Sequence, residues 1–233
     1  MCGGSTAGPC AGPATSPKVA RRDLAGDRAR ALALTPVSRE TEARLDRFVG
    51  LLLERQQRIN LIAPSTEPIL WTRHIADSLQ LMALAPAAQI WVDLGSGGGF
   101  PGLVIACALA ERPGAKMHLV ESTQKKARFL SDAARTIGAP VEVHAERISD
   151  FVRHAPSHID VVTARALAPL GKLLEEAYPL LKTGARGLFH KGQDVDAELT
   201  EASKCWTIQA DLVPSRTNPH SRIVVVNQVG SRR

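Results

Sequence analysis

Aromatic side chains are scarce in this chain: one Tyr, three Trp and five Phe make up 4% of its 233 residues. Base-stacking platforms are therefore few, and any grip on a polyanion has to rest on Arg and Lys. No uninterrupted apolar stretch approaches the ~18 residues of a membrane span, because charges, Gly or Pro cut each one. Cysteine is sparse as well. Cys2, Cys10, Cys107 and Cys205 form no Cys-x-x-Cys pair and have no His partner at metal spacing, which argues against both a zinc site and a disulfide framework. Met1 to Gly12 lacks a basic start followed by an apolar block, so no secretory signal is expected and the expected compartment is the cytoplasm. No internal repeat is visible.

What remains is the composition of a globular protein, 44% hydrophobic and 22% charged, at a length suited to one substantial domain with appendages. The net charge of +6 permits a polyanionic partner. Residues 1–36 carry few large apolar side chains and are expected to form a disordered tail. Residues 37–86 read as a helical extension. Ser38 is a good N-cap with Glu40 and Glu42 in the first turn, opening a helix expected to reach about Ile59. Leu45, Phe48, Val49, Leu52 and Ile59 share one face, and Arg44, Arg47, Arg55 and Arg58 form a neighbouring stripe, either solvated or facing phosphates. A second helical stretch is expected from Glu67 to about Leu84.

From Ile90 onward short β-type runs alternate with helical ones through residues 87–230. Strands are expected at Ile90–Leu94, Lys116–Glu121, Val141–Ala145, Ile159–Ala164 and Ala185–His190, with helices between them at about residues 101–111, 123–137, 169–181 and 194–204. This is the pattern of right-handed βαβ units and a mostly parallel sheet covered on both faces. Two last strands, about Thr207–Val213 and Arg222–Val229, lie next to each other without a helix and should pair antiparallel.

The chemistry concentrates where the first strand meets its helix, in Val92-Asp93-Leu94-Gly95-Ser96-Gly97-Gly98-Gly99-Phe100-Pro101-Gly102. Glycines there let the backbone turn sharply and approach a ligand, and free amides at the helix start attract polar groups. Gly97, Gly99 and Gly102 also fit the dinucleotide fingerprint, so this turn alone leaves NAD and S-adenosylmethionine open. Glu121, ending the second strand, is placed to accept hydrogen bonds from ribose hydroxyls of either. Asp93 directly before the turn, which could face an ammonium group, favours S-adenosylmethionine. A dehydrogenase would also need a catalytic domain for which little chain remains.

Further segments narrow the reading: Arg58-Ile59-Asn60-Leu61, Arg73-His74-Ile75-Ala76-Asp77-Ser78, Ala145-Glu146, Thr163-Ala164-Arg165-Ala166 and Lys191-Gly192. With the glycine turn, and over about residues 45–229, the chain resembles the RsmG (GidB) family, bacterial methyltransferases of guanine N7 in small-subunit (16S) ribosomal RNA. The resemblance implies an α/β class I S-adenosylmethionine-dependent methyltransferase: a Rossmann-like, doubly wound, mostly parallel seven-stranded sheet with an N-terminal helical extension. It implies that Asp93, Gly95, Gly97, Gly99, Phe100, Glu121, Ala145, Glu146 and Arg165 surround the cofactor. Arg165 would be the catalytic residue, beside the methionine moiety or the incoming base. His74, Lys125 and Lys191 are candidate substrate contacts, with Lys126 and Arg128 beside the cleft. For His74, with Asp77 and Ser78 on the same helix, a structural role tying the extension to the sheet stands beside substrate contact.

The expected partner is small-subunit ribosomal RNA, a ribosomal subunit or an assembly intermediate, with no membrane and no metal. Many relatives carry Arg just before the Ala-Glu pair where this chain has His144; Arg147 stands nearby. Guanine N7 has an in-plane lone pair and no proton, so no general base is expected. The Asn/Asp-Pro-Pro-aromatic loop typical of exocyclic-amine methylation is missing after the fourth strand. A non-catalytic RNA-binding protein on the same fold is the remaining alternative.

Overall fold

Apolar runs such as Ile-Trp-Val-Asp-Leu, without polar alternation, form strands buried on both faces. The computed structural model describes residues 17–232, with side chains from residue 24 onward. Five parallel strands, β1 (Ile90–Leu94), β2 (Lys116–Val120), β3 (Val141–His144), β4 (Val161–Arg165) and β5 (Arg186–Lys191), make the body of the sheet. Strand β6 (Trp206–Pro214) and strand β7 (Arg222–Ser231) close it in the order β3-β2-β1-β4-β5-β7-β6, with β7 antiparallel to both of its neighbours. The chain runs outward from β1 to β3 and then crosses to β4 on the other side of β1. A crevice therefore opens at the carboxyl ends of β1 and β4, where such sheets bind ligands.

Helices α1 (Pro17–Leu34) and α2 (Arg39–Gln56), the single α-helical turn α3 (Asp77–Leu79), α4 (Gly102–Leu109) and α5 (Gln124–Ile137) precede β3 in the chain; α6 (Ile148–Phe151), α7 (Leu170–Leu181) and α8 (Val195–Ala202) follow it. One core layer gathers Phe48, Leu52, Trp71, Ile75, Leu103 and Phe129, joining the N-terminal helices to α4 and α5. The other gathers Val92, Phe151, Leu173, Leu174 and Phe189 beneath α6, α7 and α8. Helix α2 starts as expected, with Ser38 Oγ accepting from the Thr41 amide at 3.0 Å. It ends at Gln56 rather than near Ile59, because Gln56 turns the chain back: its Oε1 accepts from the Leu61 and Ile62 amides and its Nε2 donates to the Ile62 carbonyl. Of the arginine stripe, Arg44 pairs with Glu111 and Arg55 with Asp132, Arg47 donates to the Ala43 carbonyl, and Arg58 is exposed.

The tail expected to be disordered over residues 1–36 differs from the structure in its second half, which is helical from Pro17 to Leu34; residues 1–16 lie outside the described residues. The anchor is polar, which a count of large apolar side chains overlooks. Asp27 is fully buried, and its carboxylate accepts from the Trp71 amide at 2.7 Å, the Thr72 amide at 3.1 Å and the Thr72 hydroxyl. Arg28 bonds Glu42 and Asp46 and lies 5.1 Å over the Trp71 ring.

The second helical stretch also departs from regularity. A 3-10 piece containing Pro64 and Pro68 gives way to a π turn over Trp71–Ala76, then to α3 and a last 3-10 turn over Gln80–Leu84. Such π turns are rare and concentrate at functional sites. Among the described residues, no helix is long and apolar enough to cross a membrane. Replacing Asp27 by Ala strands the buried Trp71 amide, so Asp27→Ala should lower stability by roughly 1–3 kcal/mol or more in urea unfolding.

Candidate active site

Between β1 and α4 the chain is bent by left-handed glycines, of which Gly97 (φ +53°) is the informative one. Its amide donates to Glu121 Oε2 at 2.9 Å, and a Cβ there would meet only the Gly95 carbonyl at 3.7 Å, so the backbone faces open space. The second Glu121 oxygen accepts from the Thr123 amide at 2.7 Å, which ties the glycine turn to the start of α5. Gly102 serves packing instead: a Cβ on it would lie 2.3 Å from Leu119 Cδ2 and 2.7 Å from Asp93 Oδ2.

These turns border a cleft of about 870 Å³. Its walls include Gly95, Gly97, Glu121 and Glu146, the Arg147–Ser149 stretch, Lys126 of α5, Ala166 and Leu167 after β4, and Lys172, Glu175 and Glu176 of α7. Volume and lining suit a small cofactor, and the carboxylate, free backbone and apolar Leu167 match a nucleoside with a charged tail. Ala145 stands next to the wall, its carbonyl accepting from Gln124 Nε2 at 3.1 Å. The wall after β4 was not foreseen from sequence. Ala166 holds φ +53°, a backbone state unusual for alanine and typical of functional loops, and no residue-type signal betrays it.

Four expected cofactor residues, Asp93, Gly99, Phe100 and Arg165, sit behind the cleft wall. Asp93 is 1% exposed; its Oδ2 accepts from the Gly102 amide at 3.1 Å and its Oδ1 from the Thr163 hydroxyl at 2.8 Å. Burial pushes its carboxyl up to about 6 against those hydrogen bonds. The side chain thus fastens the first turn of α4 to β4 from beneath. Gly99 packs against Leu103 and Phe48, and Phe100 is wedged between Phe48, at 5.4 Å between centroids, and His74, at 4.7 Å.

Behind Phe100 lies a buried polar cluster around Arg165. The guanidinium stands 5.2 Å from the Phe100 centroid, donates to the Arg73 carbonyl at 3.2 Å and to Asp77 Oδ2 at 3.4 Å, and meets His74 Nδ1 at 2.6 Å. Arginine only donates, so His74 Nδ1 must carry the lone pair and Nε2 the proton, which goes to Thr66 Oγ1 at 2.9 Å. Burial and the facing Arg165 and Arg73 charges push His74 down to about 3, so the ring is neutral near pH 7. Burial alone would raise the Asp77 carboxyl, but His190, the Thr217 hydroxyl, Arg165 and Arg73 hold it below its ordinary value. His190 Nε2 donates to the Asp77 carbonyl at 2.8 Å, and Ser215 and Thr217 bring the loop before β7 to the same carboxylate.

The expected substrate residues separate. His74 belongs to the Arg165 cluster. Lys125 is exposed on the first turn of α5, close to the cleft-lining Lys126. The Lys191 side chain is 8% exposed and spends its ammonium on Glu198, at 2.7 Å, and the Ala168 carbonyl, at 2.6 Å, bracing the loop that holds Ala166 and Leu167.

The glycine turn, the bridging Glu121 and the cleft at the crossover make a nucleoside-cofactor site. A family model described as rRNA small subunit methyltransferase G matches residues 41–222. The chain belongs to this family. A ribosomal RNA small subunit methyltransferase G from Bradyrhizobium sp. (strain ORS 278) is 61% identical over 218 residues, 94% of this chain and 98% of that protein. The one from Nitrobacter hamburgensis is 58% identical over 219 residues, 94% and 84% of the two chains.

Solved structures agree on the fold. A putative O-methyltransferase from Klebsiella pneumoniae superposes with a TM-score of 0.57 at 11% identity, covering 90% of this chain and 99% of its own. The O-methyltransferase TomG from Streptomyces achromogenes, in complex with SAM, does so with 0.56 at 14% identity, covering 89% and 98%. The class I methyltransferase fold with a seven-stranded, mostly parallel sheet is thereby established for this family member.

A pH dependence follows from His74, whose proton affinity is lower folded than unfolded. Its stabilising contribution is complete above the unfolded value near 6.5 and is lost as pH falls toward the folded value of about 3. The expected slope is about 1.4 kcal/mol per pH unit within that window. Urea unfolding between pH 4 and 6 should show a flatter profile for His74→Gln than for the unsubstituted chain.

Proposed function

We propose that this chain transfers a methyl group from S-adenosylmethionine to N7 of a guanine in small-subunit ribosomal RNA. The observation that carries this reading is the cleft in which Gly97 and Glu121 are joined, at the crossover of a methyltransferase sheet and in a family named for that RNA. When bound, S-adenosylmethionine supplies an electrophilic methyl on a sulfonium. Glu121 uses one lone pair of each oxygen on backbone amides and keeps the others for ribose hydroxyls. Ala145 and Glu146, after β3, border the adenine end. Gly95, Ala166 and Leu167 shape the wall toward the methionine end.

The residues near the reacting end suit a reaction that needs no base. His74 is neutral but gives its lone pair to Arg165, and Asp93 is buried with both oxygens engaged. Guanine N7 brings its own lone pair, so the task is alignment, which can contribute up to ~7–11 kcal/mol of the barrier. Arg165 is the residue placed to do it. Three of its five N–H donors are fixed on Arg73, Asp77 and His74, leaving two, on a rigidly held fork, for the incoming base or the donor's methionine end. Exposed Lys125 and Arg128 on α5 and Arg58 beyond α2 offer phosphate contacts. Lys191 acts by bracing the cleft wall. The substrate is small-subunit RNA, free or within a subunit or assembly intermediate.

Mass-spectrometric mapping should find one 7-methylguanosine fewer in small-subunit ribosomal RNA from cells lacking the gene; an unchanged RNA would refute the reading. Glu121→Ala removes charge-assisted hydrogen bonds of about 1.5–3 kcal/mol, so calorimetry should show S-adenosylmethionine bound at least about ten-fold more weakly. Arg165→Lys keeps the charge but loses the fork, and turnover measured at saturating donor should fall by roughly 10²-fold.

A further inference from the structure

Outside the cleft, two histidines and a carboxylate meet at the β3 edge of the sheet. Side chains on one face of parallel strands recur every second residue, and β2 pairs with β3 so that His118 lies opposite Glu142 and Val120 opposite His144. Lys116 and His118 of β2 therefore share a face with Glu142 and His144 of β3. His118 Nδ1 is 3.0 Å from His144 Nε2; Glu142 Oε2 is 4.0 Å from the former and Glu142 Oε1 3.9 Å from the latter. Tetrahedral zinc with bonds of about 2.0–2.2 Å spaces its ligands roughly 3.3–3.6 Å apart; the two ring nitrogens stand slightly closer than that, and each has one Glu142 oxygen slightly beyond it.

We infer that His118, Glu142 and His144 form a binding site for a divalent transition-metal ion of the zinc class. The surroundings have the parts that accompany such ligands. Ligating carboxylates are themselves hydrogen-bonded, and Lys116 Nζ holds Glu142 Oε2 at 2.6 Å, leaving Oε1 toward His144. Ligating imidazoles turn their other nitrogen to a carboxylate; His144 Nδ1 faces Glu146 Oε1 at 3.7 Å, and Glu146 is in turn bonded by His154 Nε2 at 3.0 Å. Phe151 walls the site, 4.7 Å between centroids from His144.

The histidines are 7% and 13% exposed, whereas Glu142 is 48% exposed, so the ion has an entry path and room for a water as fourth ligand. Two imidazoles with one carboxylate select zinc, cobalt, nickel or copper over magnesium and calcium, which prefer oxygen. The ion replaces the hydrogen bond between the two rings and clips edge strand β3 to β2. Cysteine spacing could not reveal it, since the ligands come from two strands and include no thiol.

The test is calorimetric titration of zinc chloride into tag-free, full-length protein stripped of metal by a chelator, with histidine ring nitrogens followed by NMR. One ion should bind with a Kd tighter than ~10 μM, with coordination shifts at His118 Nδ1 and His144 Nε2. His118→Gln, His144→Gln and Glu142→Gln should each weaken binding by about ten-fold or more, and zinc should raise Tm in the unsubstituted chain but not in these variants. Glu142→Gln alters a half-exposed side chain, so it reports binding even if a histidine variant fails to fold. Absence of micromolar binding, binding unchanged in Glu142→Gln, or shifts confined to other histidines would overturn the assignment.

Discussion

The buried ion pair between Asp77 and Arg165 is the constraint around which the rest of the molecule is arranged. A charge removed from water persists only if partners replace the solvent. Asp77 therefore collects Arg165 from β4, Arg73 from the π turn, and Thr217 and Ser215 from the loop before β7, while its backbone carbonyl accepts from His190 of β5. These donors come from parts of the chain that are far apart in sequence. The helical extension, the centre of the sheet and its antiparallel margin are held in one relation by the need to satisfy one carboxylate. Arg165, fixed as part of that solution, stands next to the cleft wall with little rotamer freedom left.

A methyl transfer to an unprotonated nitrogen asks for this kind of rigidity rather than for proton shuttling. The cluster is rich in titratable groups, yet each is committed: His74 accepts from arginine, His190 is pinned to a carbonyl, and Asp93 holds a helix start. What resembles acid–base machinery by composition is a scaffold in geometry. Glu121 works in two directions, organising the glycine turn through Gly97 and presenting its remaining lone pairs to the cleft.

Much of this was legible in the residue order. Alternating apolar runs gave the five parallel strands and the final antiparallel pair to within a few residues, because burial on both faces leaves little else for such segments to do. The glycine turn and Glu121 were visible because backbone conformation and a carboxylate at a strand end have few other uses. The sequence was silent where partners come from afar. Lys191 reads as a phosphate contact until Glu198 is seen beside it, and Asp93 reads as a ligand residue until Thr163 and the Gly102 amide occupy it. The N-terminal helix was misjudged for the same reason: Asp27, the residue that docks it, looks from sequence like a solvated charge.

That docking makes the first helix part of the frame around the Arg165 cluster. Asp27 grips the backbone at Trp71 and Thr72, and the next two residues along the π turn, Arg73 and His74, hold the Arg165 guanidinium together with Asp77. A single rigid turn therefore links a carboxylate near the amino terminus to the fork beside the cleft, like the two ends of one lever. The stretch common to the family begins only at residue 41. A chain trimmed to that boundary would keep every cleft-lining residue and lose the carboxylate that anchors the turn carrying Arg73 and His74.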